Sequence, residues 1–386
     1  MSETMDALQV LRPRLQAFLD DLRWLTAVDC GSHDKAGVDE VGRRFERRLQ
    51  LAGFGVERLP VADWGDCLRA RVAGTGRGRL LLLGHLDTVY DAGTAAARPM
   101  TVAGGRVLGP GANDMKAGLL AGVYAVEALR DVGFRDFEEI VFFCNGDEEV
   151  GSRSSFQLYR PDVKVADAVL VLEAARADGA IVSARKGGGH FYLAVDGRAA
   201  HAGVEPERGA NAVLELTSRI QAVCAVHGLR PGTTVNVGLV RGGTRANVVP
   251  ARAEAEFDVR VAAAADMAVV ERALRSAAES TSVPGTTARW WGSFGMAPMS
   301  KTAAVAELVA LARAVAAELG FELRDVATGG MSDANRVAEL GVPVLDGLGP
   351  VGGMDHGPDE YVELDSIVPR TALLAGLIGR ILRGGR

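Results

Sequence analysis

The sequence of 386 residues lacks the features that define several classes of protein. No apolar run approaches the roughly 20 residues that span a bilayer, so we expect no membrane partner. The net charge of −6 provides no basic patch, which argues against a nucleic-acid partner. Residues 1–15 include Glu3 and Asp6 and are not typical of a signal peptide. The four cysteines show no Cys-x-x-Cys spacing, so we expect reduced thiols in a cytoplasmic protein.

The pattern of apolar residues predicts two domains, as does a chain length that is large for a single core. Up to residue 183, short apolar strands alternate with helical segments, which is typical of an α/β sheet flanked by helices. Residues 184–298 read strand-helix-strand-strand-helix-strand, the ferredoxin-like order. The α/β pattern resumes over residues 299–386. We therefore predict an α+β domain of residues 184–298 inserted into an α/β domain of residues 1–183 and 299–386.

Two local predictions concern the first domain. Apolar residues at helical spacing, from Leu8 to Leu25, predict a single helix over residues 6–28. A segment rich in glycine and alanine follows the strand at Leu80–Leu83 and is predicted to be a loop that leads to Gly109.

Metal-type ligands follow the apolar strands or glycine-rich turns of this domain. His85 and Asp87 come directly after Leu80–Leu83, and alternation places them on one side of the chain, where the carboxylate can orient the imidazole. Any one such site is more often a structural pair or a solvated acidic surface. Five sites at one edge of a sheet favour a metal centre instead, and they are His85/Asp87, Asp114, Asp147/Glu148/Glu149, Glu173 and Asp355/His356.

The ligand types indicate which metal and which reaction to expect. Imidazole and carboxylate without thiolate suit zinc, with cobalt or manganese as substitutes. Two histidines with three or more carboxylates fit a pair of ions roughly 3.5–4 Å apart, which activate water and polarise a carbonyl. One of Glu148 and Glu149 would serve as the general base. Hydrolysis of an amide is the expected reaction.

The ordered set of motifs resembles a known family. The motifs are His85-x-Asp87-Thr-Val, Gly109-Pro-Gly-x-x-Asp114-Met-Lys-x-Gly118, Asp147-Glu-Glu-x-Gly-Ser152, Glu173 and His356. Together they are similar to those of the zinc metallopeptidases that include glutamate carboxypeptidase, acetylornithine deacetylase, succinyl-diaminopimelate desuccinylase, aminoacylase and peptidase T. The resemblance is strongest to the glutamate carboxypeptidase branch. It implies a zinc-peptidase catalytic domain with a central mixed sheet, and an inserted lid that commonly forms a homodimer.

The resemblance also implies roles for the metal ligands. Asp114 would bridge two zinc ions in each subunit. Glu149 and His356 would complete one metal site. His85 and Glu173 would complete the other.

The remaining roles concern catalysis and substrate. The resemblance makes Glu148 the general base, and Asp87 would orient His85. In the inserted domain it implies that His201 binds the tetrahedral oxyanion, that Asn247 contacts substrate and that Arg260 binds a substrate carboxylate. From the residues alone, His201 would more often be a surface histidine and Arg260 a solvated charge. Gly329 and Gly330 have no side chains, which predicts either a close approach of their backbone to substrate or a hinge at this position.

The sequence departs from the glutamate carboxypeptidase pattern in two places that bear on specificity, one of which is the Glu-Ala-Ala-Arg176 segment that begins at Glu173. Where that branch carries an arginine after the last strand of the lid, this chain reads Gly292-Ser-Phe-Gly-Met-Ala-Pro298, with Met296 or a neighbour at the arginine's place. A thioether cannot replace an arginine fork on a carboxylate. We therefore expect a substrate less acidic or more apolar than a glutamyl group.

Several functions remain open from the sequence. The leading one is a dizinc hydrolase that releases an amino acid or amine from an N-acyl amino acid, a dipeptide or a carboxypeptidase-type substrate. Within that class, an N-acyl-amino-acid deacylase or a small aromatic amidohydrolase is an alternative to a glutamate carboxypeptidase. A two-metal phosphoesterase is disfavoured because few basic residues lie near the motifs. A non-catalytic binding protein is disfavoured because the candidate base Glu148 is present.

Overall fold

The computed structural model describes residues 3–384. Its α-helices are, in chain order, α1 (Glu3–Leu11), α2 (Leu15–Thr26), α3 (Lys35–Leu51), α4 (Thr94–Ala97), α5 (Ala117–Asp131), α6 (Phe156–Val165), α7 (Ala212–Cys224), α8 (Ala264–Glu279), α9 (Ala303–Glu318), α10 (Asp333–Ala338) and α11 (Ile367–Arg383). Its strands are β1 (Gly55–Leu59), β2 (Cys67–Ala73), β3 (Arg79–His85), β4 (Thr101–Ala103), β5 (Arg106–Leu108), β6 (Glu139–Asn145), β7 (Ala168–Val171), β8 (Ile181–Arg185), β9 (Gly187–Asp196), β10 (Thr234–Gly242), β11 (Arg252–Val261), β12 (Thr287–Met296), β13 (Asp325–Thr328), β14 (Val344–Leu345), β15 (Gly352–Gly353) and β16 (Tyr361–Glu363).

The chain divides into two compact units. Unit 1 contains the described residues up to Ser183, Lys301–Ala327, and those from Ser332 onward. Unit 2 contains Ala184–Ser300 and Thr328–Met331. Within residues 3–384, no helix combines the length and the apolar character that crossing a membrane requires.

A six-stranded sheet in the order β1-β2-β6-β3-β7-β14 forms the centre of unit 1. Strands β6, β3, β7 and β14 are parallel, whereas β2 pairs antiparallel with both β6 and β1, so the predicted mixed sheet is confirmed. Strand β3 lies at the centre, and Leu80–Leu83 are at most 1% exposed because helices α5, α6 and α11 contact this strand. Since parallel strands end at the same edge, the residues that follow β3, β6 and β7 lie close together.

Helix α5 packs unusually close to the sheet because small residues face it. A Cβ atom at Gly118 would lie 1.9 Å from the backbone oxygen of Leu172, and one at Gly122 would lie 2.8 Å from the ring of Phe142. Only glycine allows such an approach. The start of α5, three residues after Asp114, is thereby held against the chain that leads from β7 to Glu173.

Two local predictions for unit 1 were wrong. The single helix predicted over residues 6–28 is two helices, because Pro13 lies in a 3₁₀ turn (Arg12–Arg14) that separates α1 from α2. The predicted glycine-rich loop contains α4 and a hairpin of β4 and β5, and β5 also pairs with β16. Gly104 and Gly105 form the hairpin turn with positive φ angles of 58° and 79°, as a two-residue turn of this hand requires.

Unit 2 contains a four-stranded antiparallel sheet in the order β10-β11-β9-β12. This is the strand order of a ferredoxin-like fold, which confirms the predicted architecture. Helices α7 and α8 pack against each other and against the sheet, and Phe191, Phe257 and Trp290 are buried in the core between them. The opposite face of the sheet carries alternate residues such as His190, which is exposed.

Candidate metal centre and active site

The predicted ligands of unit 1 come from five separate segments of the chain. Four of the segments follow a strand of the central sheet or lead into a helix, and the fifth is a loop between two strands of another sheet. They are His85 at the end of β3, Asp114 in the helical turn before α5, Glu148 and Glu149 in a 3₁₀ turn after β6, Glu173 after β7, and His356 between β15 and β16.

Asp114 lies between the two histidines. Its Oδ1 is 3.0 Å from His85 Nε2, and its Oδ2 is 3.1 Å from His356 Nε2. On the His356 side, Glu149 Oε2 lies 3.4 Å from the same imidazole nitrogen. On the His85 side, Glu173 Oε1 lies 3.7 Å from His85 Nε2. The carboxylate of Asp114 thus faces one imidazole with each oxygen.

The residues present fit a site for divalent cations. Candidate ligand atoms of His85, Asp114 and Glu149 all lie within 4.8 Å of one another, as do those of His85, Glu148 and Glu173. Glu149 Oε1 is buried and has no hydrogen-bond partner among the described residues, which a cation would remedy. The second group includes Glu148, so geometry alone does not separate a ligand role from a base role for this residue.

His85 has the tautomer that metal binding needs. Its Nδ1 lies 3.0 Å from the backbone oxygen of Asp87, and a carbonyl oxygen can only accept, so Nδ1–H donates. Nε2 faces Asp114 Oδ1 at 3.0 Å and is the nitrogen that can bind a cation once its own proton has been released. The carboxylate of Asp87 is also near, with Oδ1 3.5 Å from His85 Nδ1.

Asp87 has a further set of partners that the sequence did not indicate. Its buried carboxylate accepts hydrogen bonds from the backbone N–H groups of Glu148 and Glu149, each at 3.2 Å. It also accepts one from the Ser32 hydroxyl at 2.7 Å. Asp87 therefore contacts both the His85 segment and the turn that presents the two glutamates.

The electrostatics of the cluster retain protons on its histidines. Hydrogen bonds with Asp114 and Glu149 raise the pKa of His356 to about 10. Burial opposes the charge of His85, but hydrogen bonds with Asp114 and Asp87 outweigh burial and raise its pKa well above the ordinary value. Burial acts against the charge of Asp114 too, yet the two imidazoles hold its pKa below the ordinary range. A cluster of this kind accepts a cation by releasing protons.

The candidate base has a raised proton affinity. Burial raises the pKa of Glu148 well above its ordinary value; His85 opposes this shift, and the negative charge of Glu173 adds to it. Burial likewise raises the pKa of Glu149, although its hydrogen bond with His356 acts in the opposite direction. A carboxylate with a raised pKa is a better proton acceptor at neutral pH.

In unit 2, the structure brings His201 and Asn247 together on two exposed loops. Residue His201 pairs with Val248 in an isolated bridge, and the N–H of Ala202 donates to the backbone oxygen of Asn247 at 3.1 Å. His201 Nδ1 accepts a hydrogen bond from the N–H of Gly203 at 3.2 Å, so Nε2 is the nitrogen that remains for another partner.

The other predicted residues of unit 2 meet at the far end of its sheet. Arg260 Nη1 donates to the backbone oxygen of Gly329 at 2.6 Å, and Arg185 donates to that of Gly330 at 3.2 Å. Arg260 is also paired with Asp258, whose Oδ1 lies 2.9 Å from its Nε. The guanidinium is therefore partly occupied within its own unit.

Sequence reasoning missed two buried carboxylates near the centre. Glu360 is 1% exposed and accepts hydrogen bonds from the backbone of the Asp114 segment. Asp333, also 1% exposed, accepts hydrogen bonds from Asn145 Nδ2 at 2.7 Å and from the Tyr159 hydroxyl at 2.9 Å. The only sequence signal for Glu360 is its place four residues after His356. For Asp333 it is the position at the end of the predicted Gly-Gly-Met-Ser-Asp loop of residues 329–333.

Comparison with known proteins agrees with the resemblance. A family model described as peptidase family M20/M25/M40 matches residues 81–380. Carboxypeptidase G2 from Pseudomonas sp. (strain RS-16) is 31% identical over 367 residues, covering 94% of this chain and 88% of that protein. Succinyl-diaminopimelate desuccinylase from Caulobacter sp. (strain K31) is 30% identical over 362 residues, covering 87% of this chain and 89% of that protein.

Solved structures agree in fold. Aminopeptidase PepT from Bacillus cereus ATCC 10987 has a TM-score of 0.81 at 21% identity, covering 95% of this chain and 98% of that one. A tripeptidase from Staphylococcus aureus has a TM-score of 0.82 at 20% identity, covering 96% and 99%. The family predicted from the ordered motifs is therefore confirmed. Because the family model spans most of the sequence and its relatives align along most of their length, this chain belongs to peptidase family M20/M25/M40.

Proposed function

We propose that this metal-dependent hydrolase of amide bonds works with two zinc ions per subunit, for which cobalt or manganese can substitute. Asp114 would hold both ions, Glu149 and His356 would complete one site, and His85 and Glu173 would complete the other. The observation that carries the proposal is the position of Asp114, which directs one carboxylate oxygen at each imidazole. When bound, such ions would supply Lewis acidity, which lowers the pKa of a water molecule and polarises a carbonyl.

The residues of the chain supply the proton transfer. Glu148 accepts a proton from the attacking water and delivers it to the leaving amine. Asp87 orients His85 and holds the backbone of Glu148 in place, which its hydrogen bonds support. The raised pKa of Glu148 supports this role, since the proton must be held until the amine takes it.

Unit 2 contributes the substrate contacts in this proposal. His201 donates to the tetrahedral oxyanion through the nitrogen that is free of Gly203, and Asn247, on the neighbouring loop, contacts substrate. Arg260 binds a substrate carboxylate through the guanidinium N–H groups that do not donate to Asp258 or Gly329. Gly329 and Gly330 allow close approach of the backbone to substrate.

The substrate is an N-acyl amino acid, a dipeptide or a carboxypeptidase-type amide with a less acidic character than a glutamyl group. A cleft of about 420 Å³ opens beside Glu149, and its lining includes Asp34, Tyr90 and Asp91 but, among the described residues, no lysine or arginine. The carboxylates of Asp34 and Asp91, which are not proposed metal ligands, disfavour an anionic substrate group there. The thioether of Met296, in place of an arginine, supports the same substrate chemistry.

We also propose a cytoplasmic homodimer that associates through unit 2. Strand β10 is at the edge of the sheet of unit 2, and its Leu239 and Val240 are 48% and 57% exposed. An unpaired edge with apolar side chains is a surface on which a second copy can pair. Sedimentation of the purified protein tests this association, and a monomer at micromolar concentration would contradict it.

The test is product release from a mixed panel of acyl-amino acids, dipeptides, pteroyl-glutamate and aromatic amides, analysed by mass spectrometry with zinc-loaded protein. Glu148→Ala serves as the control and should abolish turnover at near-normal metal content. Loss of zinc in this variant would mean that Glu148 is a ligand and that the base is another residue. If neither protein cleaves any amide yet both bind metal, the alternative of a binding protein on the same fold is favoured.

A further inference from the structure

Glu360 binds the segment that carries Asp114. Its Oε1 accepts hydrogen bonds from the backbone N–H groups of Asn113 at 2.7 Å and Asp114 at 3.0 Å. Its Oε2 accepts one from the N–H of Gly111 at 2.8 Å and one from the Tyr90 hydroxyl at 2.7 Å. One buried side chain therefore satisfies three backbone donors of a four-residue segment.

This segment needs partners from outside itself. Gly111 has a positive φ of 69°, and Asp114 has the non-helical angles φ −115° and ψ 92°, so the segment cannot form regular helical hydrogen bonds. The first N–H groups of a helix have no partner within the helix, and a buried N–H without a partner is costly. The carboxylate of Glu360 takes the place that a capping residue usually fills.

Glu360 belongs to the same loop as the other imidazole ligand. His356 has a positive φ of 62°, a conformation that a residue with a side chain adopts only when its surroundings enforce it. The Tyr90 hydroxyl lies 2.8 Å from the backbone oxygen of Gly357, next to His356, and also contacts Glu360. In addition, Asn113 Nδ2 donates to Asp355 Oδ1 at 2.6 Å. The Asp114 segment and the His356 loop are thus connected at two places, through Glu360 and through the hydrogen bond between Asn113 and Asp355.

We propose that Glu360 is a positioning residue that fixes the backbone of Asp114 relative to His356 and so sets the geometry of the two metal sites. This inference rests on the proposed role of Asp114 as the bridging ligand. Glu360 does not touch the metals or the substrate; it acts through the three N–H groups of residues 111–114. Partners of this kind, which orient a metal ligand, typically change metal affinity about 10–100-fold when they are replaced.

The experiment compares Glu360→Gln with Tyr90→Phe. The amide of glutamine keeps the shape of the side chain but turns one acceptor into a donor, so at least one of the three N–H groups loses its partner. Tyr90→Phe removes the fourth contact and leaves all three N–H groups bound to Glu360. Zinc affinity and stoichiometry are measured on metal-free protein by competition with a chelator, and the visible spectrum of the cobalt-loaded protein reports ligand geometry.

We expect Glu360→Gln to weaken zinc binding about 10–100-fold and to alter the cobalt spectrum, while Tyr90→Phe weakens zinc binding less than about fivefold. Hydrogen exchange in the metal-free protein should be faster at the amides of residues 111–114 in Glu360→Gln. Equal zinc affinity in the two variants would overturn the proposal. If Glu360→Gln does not fold, Glu360→Asp is measured instead, because its side chain is one methylene too short to reach all three donors. A zinc affinity of Glu360→Asp equal to that of the wild type would also overturn the proposal. Failure of the wild-type protein to bind zinc would instead contradict the proposed function.

Discussion

Replacing Asp87 by asparagine should disturb the turn that carries Glu148 and Glu149, while four of the five proposed metal ligands lie outside this turn. The carboxylate of Asp87 accepts from Glu148 N–H with one oxygen, and from Glu149 N–H and the Ser32 hydroxyl with the other. Asparagine offers one acceptor oxygen, so its NH₂ group faces one of the two backbone N–H groups in either orientation. At least one buried donor then loses its partner, which costs about 1–3 kcal/mol of unfolding free energy.

The catalytic effect should be larger than the effect on stability suggests. The unpaired N–H belongs to the turn that carries the proposed base Glu148, and a displacement of about 1 Å there can cost on the order of 100-fold in rate. Ser32→Ala is the matched control, because it removes one contact of Asp87 while both backbone donors stay paired. It should cost about 1 kcal/mol and change kcat only slightly.

The assay combines urea unfolding of the chelated proteins, metal content by elemental analysis, and kcat and KM on the amide identified by the panel. Asp87→Asn should show a normal metal content, a lower unfolding free energy and a fall in kcat, with KM little changed. Equal kcat values in Asp87→Asn and Ser32→Ala would refute the reasoning. Loss of zinc in Asp87→Asn would show instead that its main task is to hold the metal ligands His85 and Glu149 in place.

Three further predictions test the centre. Asp114→Ala should release both metals, as measured by elemental analysis, and retention of one full equivalent would argue against a bridging carboxylate. Zinc binding at pH 7 should release at least one proton, because the pKa of His356 is about 10 and only the neutral imidazole binds metal. Zinc affinity should therefore rise about tenfold per pH unit for each proton released. Calorimetry in buffers of different ionisation enthalpy measures this release, and its absence would contradict the raised pKa. His201→Ala should lower kcat far more than zinc affinity, whereas His190→Ala, an exposed histidine of the same unit outside the predicted site residues, should change neither.

The candidate centre was predictable because its ligands follow strong local patterns. Four leucines end at His85, and apolar strands run into the acidic residues after β6 and before Glu173. A buried parallel strand is recognisable from sequence, and parallel strands end at one edge, so the convergence of these ligands follows from topology. The order of strands in unit 2 was predictable for a similar reason, since its helices and strands differ clearly in periodicity.

What escaped prediction lacks such a pattern. Glu360 binds backbone N–H groups that are distant in sequence, and such a glutamate cannot be told from a surface glutamate by composition. The role of Asp87 toward Glu148 depends on how the β3 and β6 ends meet, which register decides. The errors at Pro13 and at Gly104–Gly105 are different, because proline and paired glycines are recognisable signals of a helix break and a hairpin turn that outweigh apolar spacing.

The two imidazoles differ in their access to solvent, and this difference has a kinetic consequence. The side chain of His85 is 1% exposed, whereas that of His356 is 54% exposed. An ion beside His356 would have solvent next to its imidazole ligand, whereas an ion beside His85 would be held by an imidazole that solvent does not reach, so we expect the first ion to exchange faster. Dialysis against a chelator should therefore remove metal in two phases, and brief treatment should yield a half-loaded protein. Such a species would allow a different metal to be introduced at the outer position alone, giving a mixed-metal enzyme by order of addition.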